Sequence, residues 1–386
     1  MKFIYKIFEK HKPKFNHTGK FRHFHSLFEA TESFLFSQNQ VTTKGCHIRD
    51  SVDMKRLMIV VFFALIPPLI FGLWNTGYWH YKSIGQEATV LQEFIHGLIK
   101  VIPIILVTYI TGGTIEVIYA QIRKEDVNEG FFVTGLLIPL ILPVDIPLWM
   151  VAVATAFAII IGKEAFGGTG MNIFNPALLA RAFLFFAYPN KMTGDLVWIS
   201  GLSKAQNVID GFSGATPLAH ATLGHFNEIP PLKDLFLGTI PGSIGETSTL
   251  AILLGASLLL ITGVGNWSIM LSVFVGGITM SLIFNALALN EYMQLSPITQ
   301  IMMGGFMFGA VYMATDPVTA AQTNIGKYIY GFLIGMLAIM IRVLNPAYPE
   351  GMMLSILLMN TLAPLIDHYV IAAHIRKRFN RIKVKN

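Results

Sequence analysis

The chain has 386 residues, 53% of them hydrophobic and only 13% Asp, Glu, Lys or Arg. Soluble domains carry about 25% charged residues, so this composition is that of an integral membrane protein. The single cysteine, Cys46, excludes an intrachain disulfide, a Cys-ligated iron–sulfur cluster and a C-x-x-C-H haem site. The net charge of +6 is concentrated at the ends. Residues 1–56 hold eleven Lys/Arg against five acids, and 376–385 hold six Lys/Arg and no acid, which on so apolar a chain marks cytoplasmic termini and not a nucleic-acid surface.

Residues 1–56 form a basic, Phe-rich arm. Phe3, Ile4, Ile7 and Phe8 share a helical face beside Lys2, Lys6 and Lys10. Lys6, Glu9 and Lys10 interrupt any apolar run, so the arm is not a signal peptide and is expected to lie on membrane lipid or on partner subunits. Ten apolar segments follow, near 57–74, 98–119, 130–142, 147–162, 175–188, 249–264, 267–288, 297–315, 327–344 and 352–373. Several fall short of the ~20 residues of a spanning helix. The third and fifth are flanked or interrupted by Gly130, Pro139, Pro143 and Pro176, a sign of broken helices that build a site inside the bilayer.

The expected organisation is a cytoplasmic arm (1–56), a five-helix membrane unit (57–188), a non-cytoplasmic loop (189–248), a second five-helix unit (249–373) and a basic cytoplasmic tail (374–386). With the N-terminus inside, Arg123, Lys124 and Lys163 fall on the cytoplasmic side. The loop 189–248, with three Lys against five acids, falls outside. Gly130–Gly135 (GFFVTG) is echoed by Gly305–Gly309 (GFMFG), and Phe174–Ala177 (FNPA) by Leu344–Ala347 (LNPA). Both offsets are near 170 residues, which predicts a duplicated five-helix unit whose odd helix number makes the halves inverted.

Three groups of residues suggest chemistry. Asp210-Gly211-Phe212-Ser213-Gly214-Ala215-Thr216-Pro217 sets two hydroxyls on a backbone lightened by Gly211, Gly214 and Ala215; it is either a surface turn or a place where a planar group meets the main chain. The stretch Lys163 to Ala177 lacks the third glycine of a dinucleotide fingerprint and the Gly-Lys-Ser/Thr of a P-loop. It reads as unwound chain feeding a helix that starts near Pro176, with Asn172 and Asn175 either capping that helix or offering amide groups to a ring edge. Glu116, Asp316, Asp367, Arg181 and Arg342 lie in or beside apolar segments and are functional candidates. Snorkelling or helix-end capping is the alternative for Arg342, Asp316 and Asp367. Gly112 and Gly113 precede Glu116 and would admit a close helix or a flat ligand.

Together these stretches resemble the family of the large membrane (B) subunit of the bacterial sodium-translocating NADH:quinone reductase (NQR). The resemblance is carried by Arg49 to Asp53, Val127 to Thr134, Phe166 to Ala177, Arg181 to Pro189, Asp210 to Thr216, Ile240 to Glu246 and Asn345 to Met353. It implies FMN joined covalently to Thr216, the last residue of Ser213-Gly214-Ala215-Thr216, through a phosphodiester made by a separate flavin transferase outside the cytoplasm. It also implies a non-covalent riboflavin at Asn172 and Asn175, a ubiquinone region at Gly112 and Gly113, and acids linked to Na+ at Glu116 and Asp367; Asp316, an acid beside an apolar segment, is a further candidate for the sodium path on its position alone. The family works as a six-subunit complex in the bacterial inner membrane. The corresponding D-type protein of the related ion-translocating ferredoxin:NAD reductase shares the Ser-Gly-Ala-Thr motif and the ten-helix plan but lacks the long N-terminal arm.

The expected protein is therefore an all-α, ten-helix membrane subunit of two inverted repeats, some helices broken, with the Thr216 loop periplasmic. It would pass electrons between flavins to quinone, coupled to Na+ export. It has no nicotinamide or FAD fold and would not oxidise NADH alone. A small-solute channel or transporter would suit the inverted repeats but has no need of the Ser-Gly-Ala-Thr loop. A scaffold for redox partners would leave the asparagines and membrane acids idle.

Overall fold

A computed structural model describes residues 2–15, 28, 42, 44–46, 54–123, 130–204, 209, 212–345 and 348–383. Arg49 to Asp53, Val127 to Glu129, Asp210, Gly211, Pro346 and Ala347, which figure in the sequence motifs, lie outside the described residues, as does most of the arm. Among the described residues every regular element is helical and there is no strand. We label the helices used below α1 (Lys2–Phe15), α2 (Met54–Ser83), α3 (Val90–Arg123), α4 (Gly130–Leu140), α5 (Leu148–Ile160), α6 (Pro176–Ala187), α7 (Pro217–Leu223), α8 (Thr249–Ile261), α9 (Trp267–Leu287), α10 (Pro297–Met302), α11 (Phe306–Phe308), α12 (Asn324–Leu344) and α13 (Met352–Lys383). Among the described residues six helical stretches are long and apolar enough to cross a membrane: Arg56–Ser83, Val90–Arg123, Leu148–Phe166, Trp267–Leu287, Asn324–Leu344 and Met352–Arg381.

The long helix α3 shows why these elements pack as they do. Its outward stripe is Ile95, Ile99, Ile102, Leu106, Ile110, Ile118 and Ile122, all well exposed. Its inward stripe is Glu93, Gly97, Val101, Ile104, Thr108, Gly112, Glu116 and Ala120. The face turned outward is apolar and the face turned inward holds the polar and small residues. That is the reverse of a water-soluble helix and the pattern of one solvated by lipid. Small residues let backbones touch: a Cβ at Gly97 would lie 1.8 Å from the Leu73 carbonyl oxygen of α2, and one at Gly335 of α12 would lie 2.0 Å from the Val273 oxygen of α9.

Several segments differ from their hydropathy limits. α2, α3 and α13 run well beyond 57–74, 98–119 and 352–373. The eighth segment, 297–315, is not one helix: α10 stops at Met302, α11 starts at Phe306, and a π-helical turn, Gly309–Met313, follows. Part of the loop 189–248 packs into the protein: Ile240, Ser243, Ile244, Glu246 and Thr247 are buried.

Broken helices free backbone carbonyls, and in a bilayer each must find a donor within the protein. Gly245 N–H donates to the Leu140 oxygen at 2.7 Å and Ile244 N–H to the Leu142 oxygen at 3.3 Å, so the buried loop closes the end of α4. Pro67 and Pro68 lie inside α2. Pro68 has no N–H for the Ala64 oxygen four residues back, and the Tyr312 hydroxyl donates to that oxygen at 2.8 Å. Arg342 does not snorkel. It is fully buried and donates to the oxygens of Gln300, Met303 and Glu350, the last two at 3.2 and 3.3 Å, which caps the broken end of α10. Asp367 of α13 caps α12: it accepts from Gln322 N at 2.7 Å and Thr323 N at 3.0 Å.

Arg342→Met should strip the donor from three carbonyls at once. An orphaned buried group costs about 1–3 kcal/mol, so the detergent-solubilised variant is expected to unfold several degrees below wild type by tryptophan fluorescence. Arg342→Lys should recover part of the loss; an unchanged midpoint in the methionine variant would show that the carbonyls have another donor.

Candidate functional site

Thr216 and Asn172 line two different cavities. Thr216 is the N-cap of α7, with extended backbone (φ −78°, ψ 159°) and Pro217 at the first helical position. Its Oγ1 accepts from Ala219 N at 3.2 Å, and it is half-buried. Ser213 is exposed and its Oγ accepts from Ala215 N at 3.2 Å. Gly214 is buried, and a Cβ there would lie 2.3 Å from the Asp195 oxygen. The backbone that approaches this glycine is thus the neighbouring loop.

That loop is held from α2 and α3. His80 Nδ1–H donates to the Ser200 oxygen at 2.7 Å and His96 Nε2 meets Ser200 Oγ at 3.1 Å. The two imidazoles stack with centroids 3.8 Å apart. Asp145 accepts from Gly201 N at 2.8 Å and from Ser203 Oγ at 3.0 Å. Long membrane helices therefore fix the loop that fixes Gly214, two residues before Thr216.

Beside Thr216 is a cavity of about 90 Å³ whose wall includes Phe185, Trp198 and Tyr348 and the charged groups Arg181, Glu246 and Glu350. Arg181, on α6, is buried and holds both acids: Nη1 to Glu246 Oε1 at 2.6 Å and Nη2 to Glu350 Oε2 at 2.7 Å. Burial pushes the Glu350 carboxyl up to about 7; Arg181 pulls against this and Glu246 adds to it. Thr216 thus shares a cavity wall with aromatic rings, and esterification would leave on Oγ1 a lone pair for the Ala219 N–H. These residues fit an attached planar group.

The second site is a cavity of about 360 Å³ lined by Thr134, Lys163, Thr169, Asn172, Asn175, Tyr312 and Asp316, among others. Asn175 does cap α6: its Oδ1 accepts from Ala177 N at 3.0 Å and Leu178 N at 3.4 Å. Asn172 Nδ2 donates to the Phe174 oxygen at 3.0 Å. Capping leaves Asn175 on the cavity wall, so the cap does not exclude a ligand contact there. Thr169 Oγ1 is buried there without a hydrogen-bond partner, which fits a polar ligand edge.

The remaining candidates do not converge on this cavity, Asp316 excepted. Asp316 accepts from Val318 N at 3.2 Å and Thr319 Oγ1 at 3.0 Å, a local turn cap. Glu116 is buried in an ion pair with Lys163. Gly112 packs under Phe131, whose ring would stand 2.2 Å from a Cβ, and Gly113 lies beside the same ring at 3.8 Å. Asp367 is on the cap of α12, on neither cavity wall. Sequence reasoning did not reach Thr169, Tyr312, the Lys163–Glu116 pair or the Arg181–Glu246–Glu350 cluster. The available signal was a basic residue in or beside each of two apolar stretches, which calls for an acid or backbone carbonyls nearby.

The B subunit of the Na(+)-translocating NADH-quinone reductase of Ectopseudomonas mendocina is 44% identical over 402 residues, covering 97% of this chain and 98% of the relative. The proteins of the same name from Stutzerimonas stutzeri and Azotobacter vinelandii are 45% and 43% identical, covering 95% and 97% of this chain and 96% and 98% of the relatives. A sequence model of the NQR2, RnfD, RnfE family matches residues 41–376, and the chain belongs to that family.

Proposed function

We propose that this chain is the flavin-carrying membrane subunit of a redox-driven sodium pump, a part of an NADH:quinone reductase complex that is inactive alone. Near-full-length identity to relatives named as the B subunit of that enzyme is the observation that carries the reading over the ferredoxin:NAD reductase protein. Thr216 holds FMN covalently and Asn172 and Asn175 hold riboflavin. Bound flavin supplies the redox chemistry, which amino-acid side chains lack. The protein's residues do the placing. The Thr216 cap presents its oxygen at the helix start, Trp198 and Tyr348 wall the cavity against water, and Arg181 with its two acids sets the local charge.

The chain is read as ten membrane segments in two inverted five-helix units, with both termini cytoplasmic in the bacterial inner membrane and Thr216 periplasmic. Matching contacts support the repeat: α3 packs on α5 as α9 packs on α12, and α5 on α6 as α12 on α13, while α2 and α8, the first helices of the two units, pack on each other. Gly112 and Gly113 mark the ubiquinone region, and Glu116, Asp316 and Asp367 the sodium path. The partners are the other subunits of the complex and a flavin transferase.

Thr216→Val keeps shape and removes the hydroxyl, so in-gel fluorescence of the denatured 42.8 kDa chain, coexpressed with a competent flavin transferase, should vanish. Thr216→Ser should label partially, and Ser213→Ala should stay fluorescent. Fluorescence that persists in Thr216→Val and is lost in Ser213→Ala moves the bond to the serine; a dark wild type removes the reading.

Asn172→Leu should lose acid-extractable riboflavin while Thr216 keeps its label. Asn175→Asp keeps the cap oxygen and removes the amide donors, so it should lose the ligand without the ~1 kcal/mol of a lost cap. Normal riboflavin in both variants would return these asparagines to capping alone.

Glu116→Gln and Asp367→Asn are expected to raise the Na+ concentration for half-maximal quinone reduction in the assembled complex with both flavins bound. A sodium dependence equal to wild type in both would make these acids structural.

A further inference from the structure

The helix capped by Thr216 ends in a fold-back that gathers three metal-ligating groups. α7 closes at Gly224, whose left-handed backbone (φ 80°) reverses the chain. His225 N–H then donates to the His220 oxygen at 2.9 Å and Glu228 N–H to the His225 oxygen at 3.1 Å, which brings residues 220, 225 and 228 side by side. Glu228 Oε2 lies 3.0 Å from His220 Nδ1 and 3.6 Å from His225 Nδ1. One ligand atom from each residue falls within 4.8 Å of the others, and among the described residues this is the only such group of three. His220 Nδ1 is buried, and no hydrogen bond of good direction satisfies it, the nearby Glu228 oxygen notwithstanding.

We propose that His220, His225 and Glu228 bind one divalent transition-metal ion of the zinc class, fastening the far end of the helix that Thr216 begins. Two imidazoles and one carboxylate suit Zn2+, Co2+, Ni2+ or Cu2+, whereas Na+ and Mg2+ take oxygen ligands. Tetrahedral zinc with bonds of about 2.0–2.1 Å sets its ligands roughly 3.3–3.5 Å apart, close to the two Glu228 distances already present. Only the wider separation within 4.8 Å must close, and His225 and Glu228 are exposed side chains that can turn to close it without disturbing the core. Three protein ligands leave the fourth position to water, so the ion is exchangeable. The clamp reaches Thr216 in one helical turn, because His220 N–H donates to the Thr216 oxygen at 3.0 Å. Its meaning for flavin attachment rests on the reading of Thr216 above; the site itself does not.

The test is Co2+ titration of the full chain purified in detergent. One equivalent should give the visible absorption of a low-symmetry, near-tetrahedral Co2+ site. Zn2+ should displace it, and a large excess of Na+ or Mg2+ should not. His225→Ala and Glu228→Gln, both at exposed positions, should bind at least tenfold more weakly, while equal uptake by both variants and wild type would assign the ion to other histidines and overturn the site. No saturable Co2+ or Zn2+ uptake by wild type also overturns it. In-gel flavin fluorescence is read on the same samples: metal bound to an unlabelled wild-type chain upholds the site and counts against Thr216 alone.

Discussion

Every backbone carbonyl freed at membrane depth needs a donor from inside the protein, and the architecture follows from how this chain meets that demand. Pro68 opens α2 and Tyr312 fills the gap. α4 stops short, and the buried Ile244–Gly245 backbone closes it. α10 stops at Met302, and Arg342 crosses from α12 to cap it. An intact spanning helix needs none of these devices and leaves no room for a ligand. The breaks make the cavities: Tyr312 stands in the wall beside Asn172, and the Glu350 segment that meets Arg342 also walls the cavity beside Thr216.

The buried charges obey the same constraint. Lys163 meets Glu116, and Arg181 meets Glu246 and Glu350. Desolvation offsets much of the attraction in such pairs, so they contribute little to stability, yet removing one partner leaves an uncompensated buried charge. Their effect is to fix which segments lie together: Glu246 and Glu350 arrive from different loops, and Arg181 holds both against the Thr216 cavity.

Much of this was legible in the sequence. Hydropathy marked the six helical stretches long and apolar enough to cross a membrane, and the helix expected to start near Pro176 does begin there. Helix ends were read short where polar residues continue the helix against a protein partner. Asn75 is one, buried and donating to the Ile240 oxygen at 2.9 Å, a contact that hydropathy cannot register. Arg342 invited a snorkelling reading because two of its three acceptors belong to a helix break 39–42 residues earlier in the chain. Gly112 shows the converse. Its missing side chain is plain from the residue type, and only the fold shows that the Phe131 ring takes the space.

The link between Tyr312 and Ala64 spans 248 positions of sequence, which gives it a meaning for biogenesis. At about 5–20 residues per second of synthesis, the donor is made roughly 10–50 s after its acceptor. The first membrane helix therefore enters the bilayer with an unmet carbonyl at Ala64. It completes its bonding only when the second half of the chain folds against it, so a truncated product carries an intrinsic mark of incompleteness within the membrane.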